Sequence, residues 1–282
     1  VSDESRELPI RRIVVGLDAS PHSLAALEAA ADLAARLEAE LVGMFVEDIN
    51  LLRLAELPFA REVGIFSGTR RRLDSGQVQR QLQAQAERAR RALEGHARRV
   101  QVHWTFQVTR GVVASELLSA ASEADLVILG RTSRPLGARP QLGSTARGVA
   151  AEATCSALVV SYGRQLRLPV LVVMDGSQHA WKAMAVAASL VREEDRHLAV
   201  FILAHDMDAA QQLKARVTDW LRERKLLARY RLLARPSASR LAEMIEREGC
   251  GTLVLPAVSR VLDSSAVMSL LDELQQPVLV VR

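Results

Sequence analysis

Two stretches of this chain place carboxylates, hydroxyls, glycines and arginines where they can hold a polar, anionic ligand. Asp18 closes the apolar run Ile13-Val14-Val15-Gly16-Leu17 and is followed by Ser20, Pro21 and His22. A carboxylate at a strand end can accept from a ribose hydroxyl or an adenine amine. A second apolar run, Leu126–Leu129, leads into a sixteen-residue stretch from Gly130 to Thr145. That stretch holds three glycines, three arginines (Arg131, Arg134, Arg139) and no acid, and Arg147 follows. It ends in Gly143-Ser144-Thr145, which reads as a helix start. The N–H groups there lack helical partners, and the helix dipole favours an anion. Glycine lets backbone come close to an oxygen, hydroxyls add donors, and arginine adds charge-assisted bonds to phosphate.

Other chemistries find less support. No Ser/His/Asp arrangement suggests nucleophilic catalysis. Cys155, Cys250 and six scattered histidines show no metal-ligand spacing. His22 and His179 recur in equivalent places, yet each falls on a first helical turn, where a structural or surface role is expected. No residue reads as a dedicated base for attacking water, so any hydrolysis of a bound phosphate ester is expected to be slow and incidental. Beyond Ser144 and Asp18 no ligand set for Mg²⁺ is apparent.

The elements that carry these residues occur twice. Asp18, Ser20 and His22 return as Asp175, Ser177 and His179, at one offset of 157 residues. Asp125–Leu129 has an echo in Thr252–Leu255, and Ala157–Val160 in Pro277–Val280, in the same order. Two copies of one unit are expected, joined near 162–168, with domains at 1–163 and 164–282.

Within a copy, strand and helix patterns alternate. Ile13–Leu17 reads as a buried strand, Ser20 as an N-cap and Pro21 as a first helical residue. Leu41–Val46 is the next strand. Val78, Leu82, Ala86, Ala89 and Leu93 mark a long amphipathic helix, with Gly95 as its expected stop. Val102–Val108 alternates apolar with polar and is expected toward a sheet edge. Ser115–Ser122 and the segment from Gly143 read as helices, Leu126–Leu129 and Ala157–Val160 as strands. In the second copy Val170–Met174, Leu198–Leu203, Tyr230–Leu233, Leu253–Leu255 and Val278–Val281 read as strands. The fold class is therefore α/β, two tandem doubly wound parallel-sheet domains with helices on both faces. Ligands of such sheets bind past the carboxyl ends of the strands, where strand order reverses.

Composition narrows the partners. The 282 residues are 49% hydrophobic and 25% charged, ample for a buried core. The net charge of +4 is a mild surplus, and aromatic residues are only 4%, so a base-stacking nucleic-acid surface is not expected. No apolar run approaches the ~20 residues of a membrane span. The polar start, Val1 to Arg6, does not read as a secretory signal, and two cysteines make no disulfide framework. A cytoplasmic protein is expected.

The strand followed by G-x2-G-x9-G-[S/T], opposite an Asp that ends the first strand, resembles the universal stress protein family. Here Gly130, two residues, Ser133, nine residues and Gly143-Ser144 keep the spacing, with Ser133 in place of the second glycine. The run from Gly111 through Leu118 to Asp125–Gly130 is also similar to the family's approach to that loop. The resemblance implies a Rossmann-like sheet with strand order 3-2-1-4-5. It implies a role in stress response or signalling and, for many members, ATP binding, with Mg²⁺ as a candidate companion. Carried over, Asp18 and the backbone of Val46 face the adenosine, and Gly130, Arg131, Ser133, Gly143, Ser144 and Thr145 surround the phosphates. Members dimerise, so a tandem chain is expected to form an internal pseudo-dimer, on its own or paired again as a homodimer.

Two departures matter. Ser133 is expected to weaken binding without abolishing it, the loop arginines compensating. In the second copy Pro256 replaces Gly130 and Asp263 replaces Gly143, which removes a donor and puts a negative charge where a phosphate would sit. That half is expected not to bind a nucleoside triphosphate. Asn50–Gly76 has no counterpart in the second copy and carries apolar and basic residues, as a protein-partner surface, a lid or an ordinary connection would. The alternative function is a nucleotide-free interaction scaffold with both sites vestigial.

Overall fold

The computed structural model describes residues 10–63, 70–132, 141–191 and 197–282. In chain order the first half runs β1 (Arg12–Gly16), α1 (Pro21–Leu37), β2 (Glu40–Asp48), α2 (Ile49–Glu56), β3 (Arg61–Val63), β4 (Arg70–Arg72), α3 (Ser75–Val100), β5 (Trp104–Gly111), α4 (Val113–Ala121), β6 (Leu126–Gly130), α5 (Ser144–Glu152) and β7 (Ser156–Val160). The second half runs β8 (Val170–Met174), α6 (Gln178–Leu190), β9 (His197–Ala204), α7 (Met207–Glu223), β10 (Leu227–Ala234), α8 (Ala238–Glu248), β11 (Thr252–Pro256), α9 (Ser264–Glu273) and β12 (Val278–Val281).

Ten strands form one sheet in the order β10-β9-β8-β11-β12-β7-β6-β1-β2-β5. Within each half of this sheet every pairing is parallel and the order is 3-2-1-4-5. The halves meet through one antiparallel pairing, β7 with β12, with Leu158 opposite Leu279. Central strands are apolar throughout, as strands covered on both faces must be; β8 and β11 are buried at every residue. β5 lies at one outer edge and is half-buried or exposed along its length, as its alternation leads one to expect.

Each face of the sheet has its own core. One is built on β1, β8 and helices α1, α3, α6 and α7, with Leu27, Ala89, Met184 and Val217 fully buried. The other is built with α4, α5, α8 and α9, with Leu117, Val149, Ile245 and Leu270 buried. Both cores continue from one half into the other.

Helix α3 does not stop at Gly95. It continues to Val100 and ends at Gln101, whose φ of 57° places it in the left-handed region. Val78, Leu82, Ala86, Ala89, Leu93 and Ala97 are buried along one face, and that packing outweighs the roughly 1 kcal/mol that a mid-helix glycine costs. The 50–76 insertion forms α2 and a small β3-β4 hairpin, elements that its sequence does not announce.

Among the described residues three arginines reach across the seam onto carbonyls at a helix C-terminus of the other half. Arg36 of α1 donates to Ser189 O and Leu190 O at 3.4 and 3.0 Å. Arg131 donates to Leu271 O and Asp272 O, both at 2.6 Å. Arg282 donates to Ala150 O at 2.6 Å and Ala151 O at 3.0 Å. The last carbonyls of a helix have no helical donor, and its dipole there favours a cation.

Candidate nucleotide site

The site forms where β1 stops and β2 continues. Pairing of the two strands runs to Gly16 opposite Met44, and Leu17 N–H donates to Met44 O at 2.8 Å. The chain then turns away. Ala19 is left-handed, φ 58°, which costs a residue with a side chain roughly 1–2 kcal/mol. The second half has Gly176 in the matching position, φ 76°. Asp18 Oδ1 accepts from Ser20 N–H at 2.9 Å, and Ser20 caps α1 by accepting from Ser23 N–H at 3.2 Å. Alternate residues of a parallel strand direct their backbone groups to the same neighbour. Val46 lies two residues beyond Met44, so its N–H and C=O face the space that β1 has vacated.

Gly130 brings the end of β6 against the start of α1. A Cβ there would lie 2.6 Å from His22 C and 2.7 Å from Ser23 N. Arg131 N–H then donates to Val160 O, and Arg131 O accepts from Gly143 N–H, both at 2.8 Å. The loop thus leaves and returns at one point. α5 begins there with Gly143 as its cap, no side-chain acceptor and no acid in its first turn. A helix start that no side chain caps among the described residues offers the amides that an anion needs.

Between these elements lies a cavity of about 840 Å³, within the range of small-molecule sites. Its apolar wall includes Leu17, Phe45, Val46, Val113, Leu117 and Leu129; its polar groups include Asp18, Asp48, Thr132 and Thr145. Asp18, Val46, Gly130 and Thr145 therefore line one space. Gly143 and Ser144 stand at the start of α5 beside it and are not in its wall. Arg131 is placed otherwise than its sequence position suggests. Its side chain is fully buried and engages the seam rather than the cavity, and burial pulls the guanidinium below its ordinary pKa. Ser133, Arg134 and Arg139 lie outside the described residues.

Sequence reasoning missed one wall. Leu51 of α2 and Leu82, Gln85 and Arg88 of α3 also line the cavity. The spacing of three between 82, 85 and 88 puts them on one helix face, a readable signal once α3 is known to cover β2. His22, just behind Gly130, is buried; its Nδ1 accepts from Tyr162 N–H at 3.0 Å. Burial, reinforced by the Arg131 charge and opposed by Asp18, lowers its pKa. Among the described residues no cluster of three or more His, Cys, Asp or Glu could hold a metal, and no helix is long and apolar enough to cross a membrane. Burial pushes the Cys250 thiol up to about 12 and also raises that of Cys155.

The model of the universal stress protein family matches residues 9–161, more than half of the chain. The chain belongs to the universal stress protein family. Solved relatives extend the likeness to its full length. A universal stress protein from Archaeoglobus fulgidus is 15% identical, with 96% of this chain and 98% of that one covered and a TM-score of 0.73. A putative universal stress protein from Pseudomonas aeruginosa is 13% identical, with 96% and 93% covered and a TM-score of 0.56. At these identities the likeness shows the fold. A universal stress protein solved in complex with cAMP is 21% identical over 55% of this chain and 99% of its own, with a TM-score of 0.39. No curated protein matches.

In the second half of this universal stress protein the equivalent carboxylate is engaged by the chain itself. Asp175 is buried; one carboxylate oxygen accepts from Ser177 N–H at 2.9 Å, the other from Ser259 Oγ and Arg260 N–H, both at 2.5 Å. Burial alone would raise its pKa, but these hydrogen bonds outweigh burial and hold it below the ordinary carboxylate value. At the start of α9, Asp263 accepts from Ala266 N–H at 2.7 Å, so a carboxylate caps α9 where α5 has no side-chain cap among the described residues.

A depressed carboxylate pKa contributes stability that is complete above the unfolded value, about 3.9, and is lost as pH falls through the folded value. Asp175→Asn is therefore expected to cost about 1.5–3 kcal/mol at pH 7, the usual worth of hydrogen bonds to a charge. The gap to the parent should shrink below pH 4. Urea melts at pH 7 and pH 3 check this; an equal gap at both would remove the assigned role.

Proposed function

We propose that this chain is a tandem universal stress protein of two domains, 1–163 and 164–282. The first binds ATP or another adenine nucleotide, and the second is a degenerate partner. The observation that carries the reading is the contrast between two helix starts. α5 opens beside a large cavity with neither a side-chain cap nor an acid in its first turn, whereas α9 opens on Asp263.

The residues present fit such a ligand. A nucleotide supplies a flat base, a ribose and a run of anionic oxygens. The Val46 backbone and the Asp18 carboxylate are suited to the base and ribose, with Val46 and Leu117 as apolar flanks. Gly130, Gly143, Ser144 and Thr145 would hold the phosphates with Ser133, and Arg131 would hold the loop rather than the ligand. Asp18 and Ser144 would be the oxygen donors for Mg²⁺. Binding would change conformation or association in a cytoplasmic stress response, with slow hydrolysis at most.

Titration calorimetry with ATP, AMP and adenosine tests this. One site per chain is expected, tighter for ATP than for adenosine, together with thermal stabilisation of about 2.7 kcal/mol at a hundredfold excess over Kd. Two sites would refute the degeneracy of the second half. No binding of any adenylate would leave the scaffold reading, which Leu54, Leu57 and Phe59 favour, being 48, 39 and 75% exposed on the insertion.

A further inference from the structure

Among the described residues the second half meets the residue after Gly130 and the first turns of α5 at the last turn of α9. Arg131, first residue of the loop after Gly130, fixes three things at once. Its N–H is tied to Val160, its C=O to the cap of α5, and its guanidinium to the carbonyls of Leu271 and Asp272 in the last turn of α9. Arg147, one turn into α5, puts one guanidinium nitrogen 2.6 and 2.7 Å from the two carboxylate oxygens of Asp272. The loop and the helix whose amides face the phosphates therefore end on the same residue of the other half. A fully buried guanidinium is costly unless its donors are met, and last-turn carbonyls need donors, so each satisfies the other.

We infer that Asp272 is a positioning residue for the phosphate end of the first-half site. The second half, its own carboxylate engaged, acts as the brace that sets where α5 begins. The inference rests on the nucleotide reading given above. It explains why Arg131, placed in a phosphate loop by its sequence, points away from the cavity. It also gives the degenerate half a task that needs no ligand of its own.

Asp272→Ala tests it. The substitution removes the carboxylate and leaves the Leu271 and Asp272 carbonyls for Arg131, and the Arg147 pair is partly exposed, so the fold is expected to hold. ATP affinity should fall about tenfold while adenosine affinity stays unchanged, because the brace acts on the phosphate end alone. Hydrogen exchange at the hydrogen-bonded amides of Gly143 and Arg147 should quicken in the ligand-free chain, and Asp272→Glu should recover part of both effects. If the parent binds ATP and the Ala variant binds it equally well, the inference fails alone. Equal losses for ATP and adenosine would mean general loosening and also overturn it. If the parent binds no adenylate, the nucleotide reading fails and takes the inference with it. Unchanged exchange at Gly143 and Arg147 would show that Asp272 does not hold α5.

Discussion

Gly143→Asp is expected to stabilise the protein and to abolish triphosphate binding. The cap of α5 has φ −65° and ψ 153°, a conformation open to any residue. A Cβ there would meet Arg131 O at 3.3 Å and Thr132 Cα at 3.4 Å, tight contacts that small shifts relieve. Aspartate is among the best N-caps, and a negative charge at a helix start adds ~0.3–1 kcal/mol. Melting should rise by roughly 1–3 °C. The same carboxylate would stand where phosphate oxygens are expected, and like charges in contact cost several kcal/mol, so ATP affinity should fall by roughly a hundredfold or more. This is the arrangement that α9 already has through Asp263. Gly143→Asn separates the two effects: it caps without charge and should stabilise while keeping most of the affinity. Scanning fluorimetry and calorimetry on both variants give the answer. Full ATP binding by the aspartate variant would place the phosphates elsewhere.

Much of this was legible in the residues, for identifiable reasons. The recurrence of Asp-x-Ser-x-His after an apolar run marked the turn from strand to helix in both halves, because that turn must be capped wherever it occurs. The edge place of β5 followed from its alternation of apolar and polar residues, whereas the order 3-2-1-4-5 came from the resemblance to the family and agrees with that edge. The fate of Arg131 was not legible. Its neighbours in sequence point to a phosphate, while its partners, Leu271 and Asp272, lie 140 and 141 residues away. No local pattern carries a contact that the antiparallel seam creates. The outer wall of the cavity was hidden for a similar reason, because α2 and α3 meet the site only after the insertion has folded over β2. The hydrogen bonding of the second half's carboxylates was half-visible. Asp263 signalled it, but the use of Ser259 and the Arg260 N–H to saturate Asp175 depends on the path of a loop whose sequence has no marked pattern.

Gly130→Ala should be the most damaging small substitution in the first half, although it adds a single methyl group. The reason is space, not backbone freedom. The new Cβ would sit 2.6 Å from His22 C, 2.7 Å from Ser23 N and 2.9 Å from His22 O, all main-chain atoms. These atoms belong to a first turn that cannot retreat easily. Ser20 caps it, His22 is pinned to Tyr162 N–H, and His22 and Ser23 are buried. β6 is equally fixed, hydrogen-bonded between β1 and β7. Forcing such a contact typically costs about 1–3 kcal/mol, here expected at the upper end, or roughly 4–10 °C in melting temperature. The strain would be relieved by moving the start of α1, which carries Asp18 and Ser20, away from the start of α5. ATP affinity should therefore fall along with stability, unlike the outcome for Gly143→Asp, where the two separate. Gly95→Ala is the control. Nothing lies within 4 Å of a Cβ at that mid-helix position, so it should stabilise by about 0.5–1 kcal/mol. Denaturant melts of the two glycine variants with opposite signs would support the close approach of β6 to α1. A Gly130→Ala protein as stable as its parent would show that the strand end and the helix start are further apart than this packing requires.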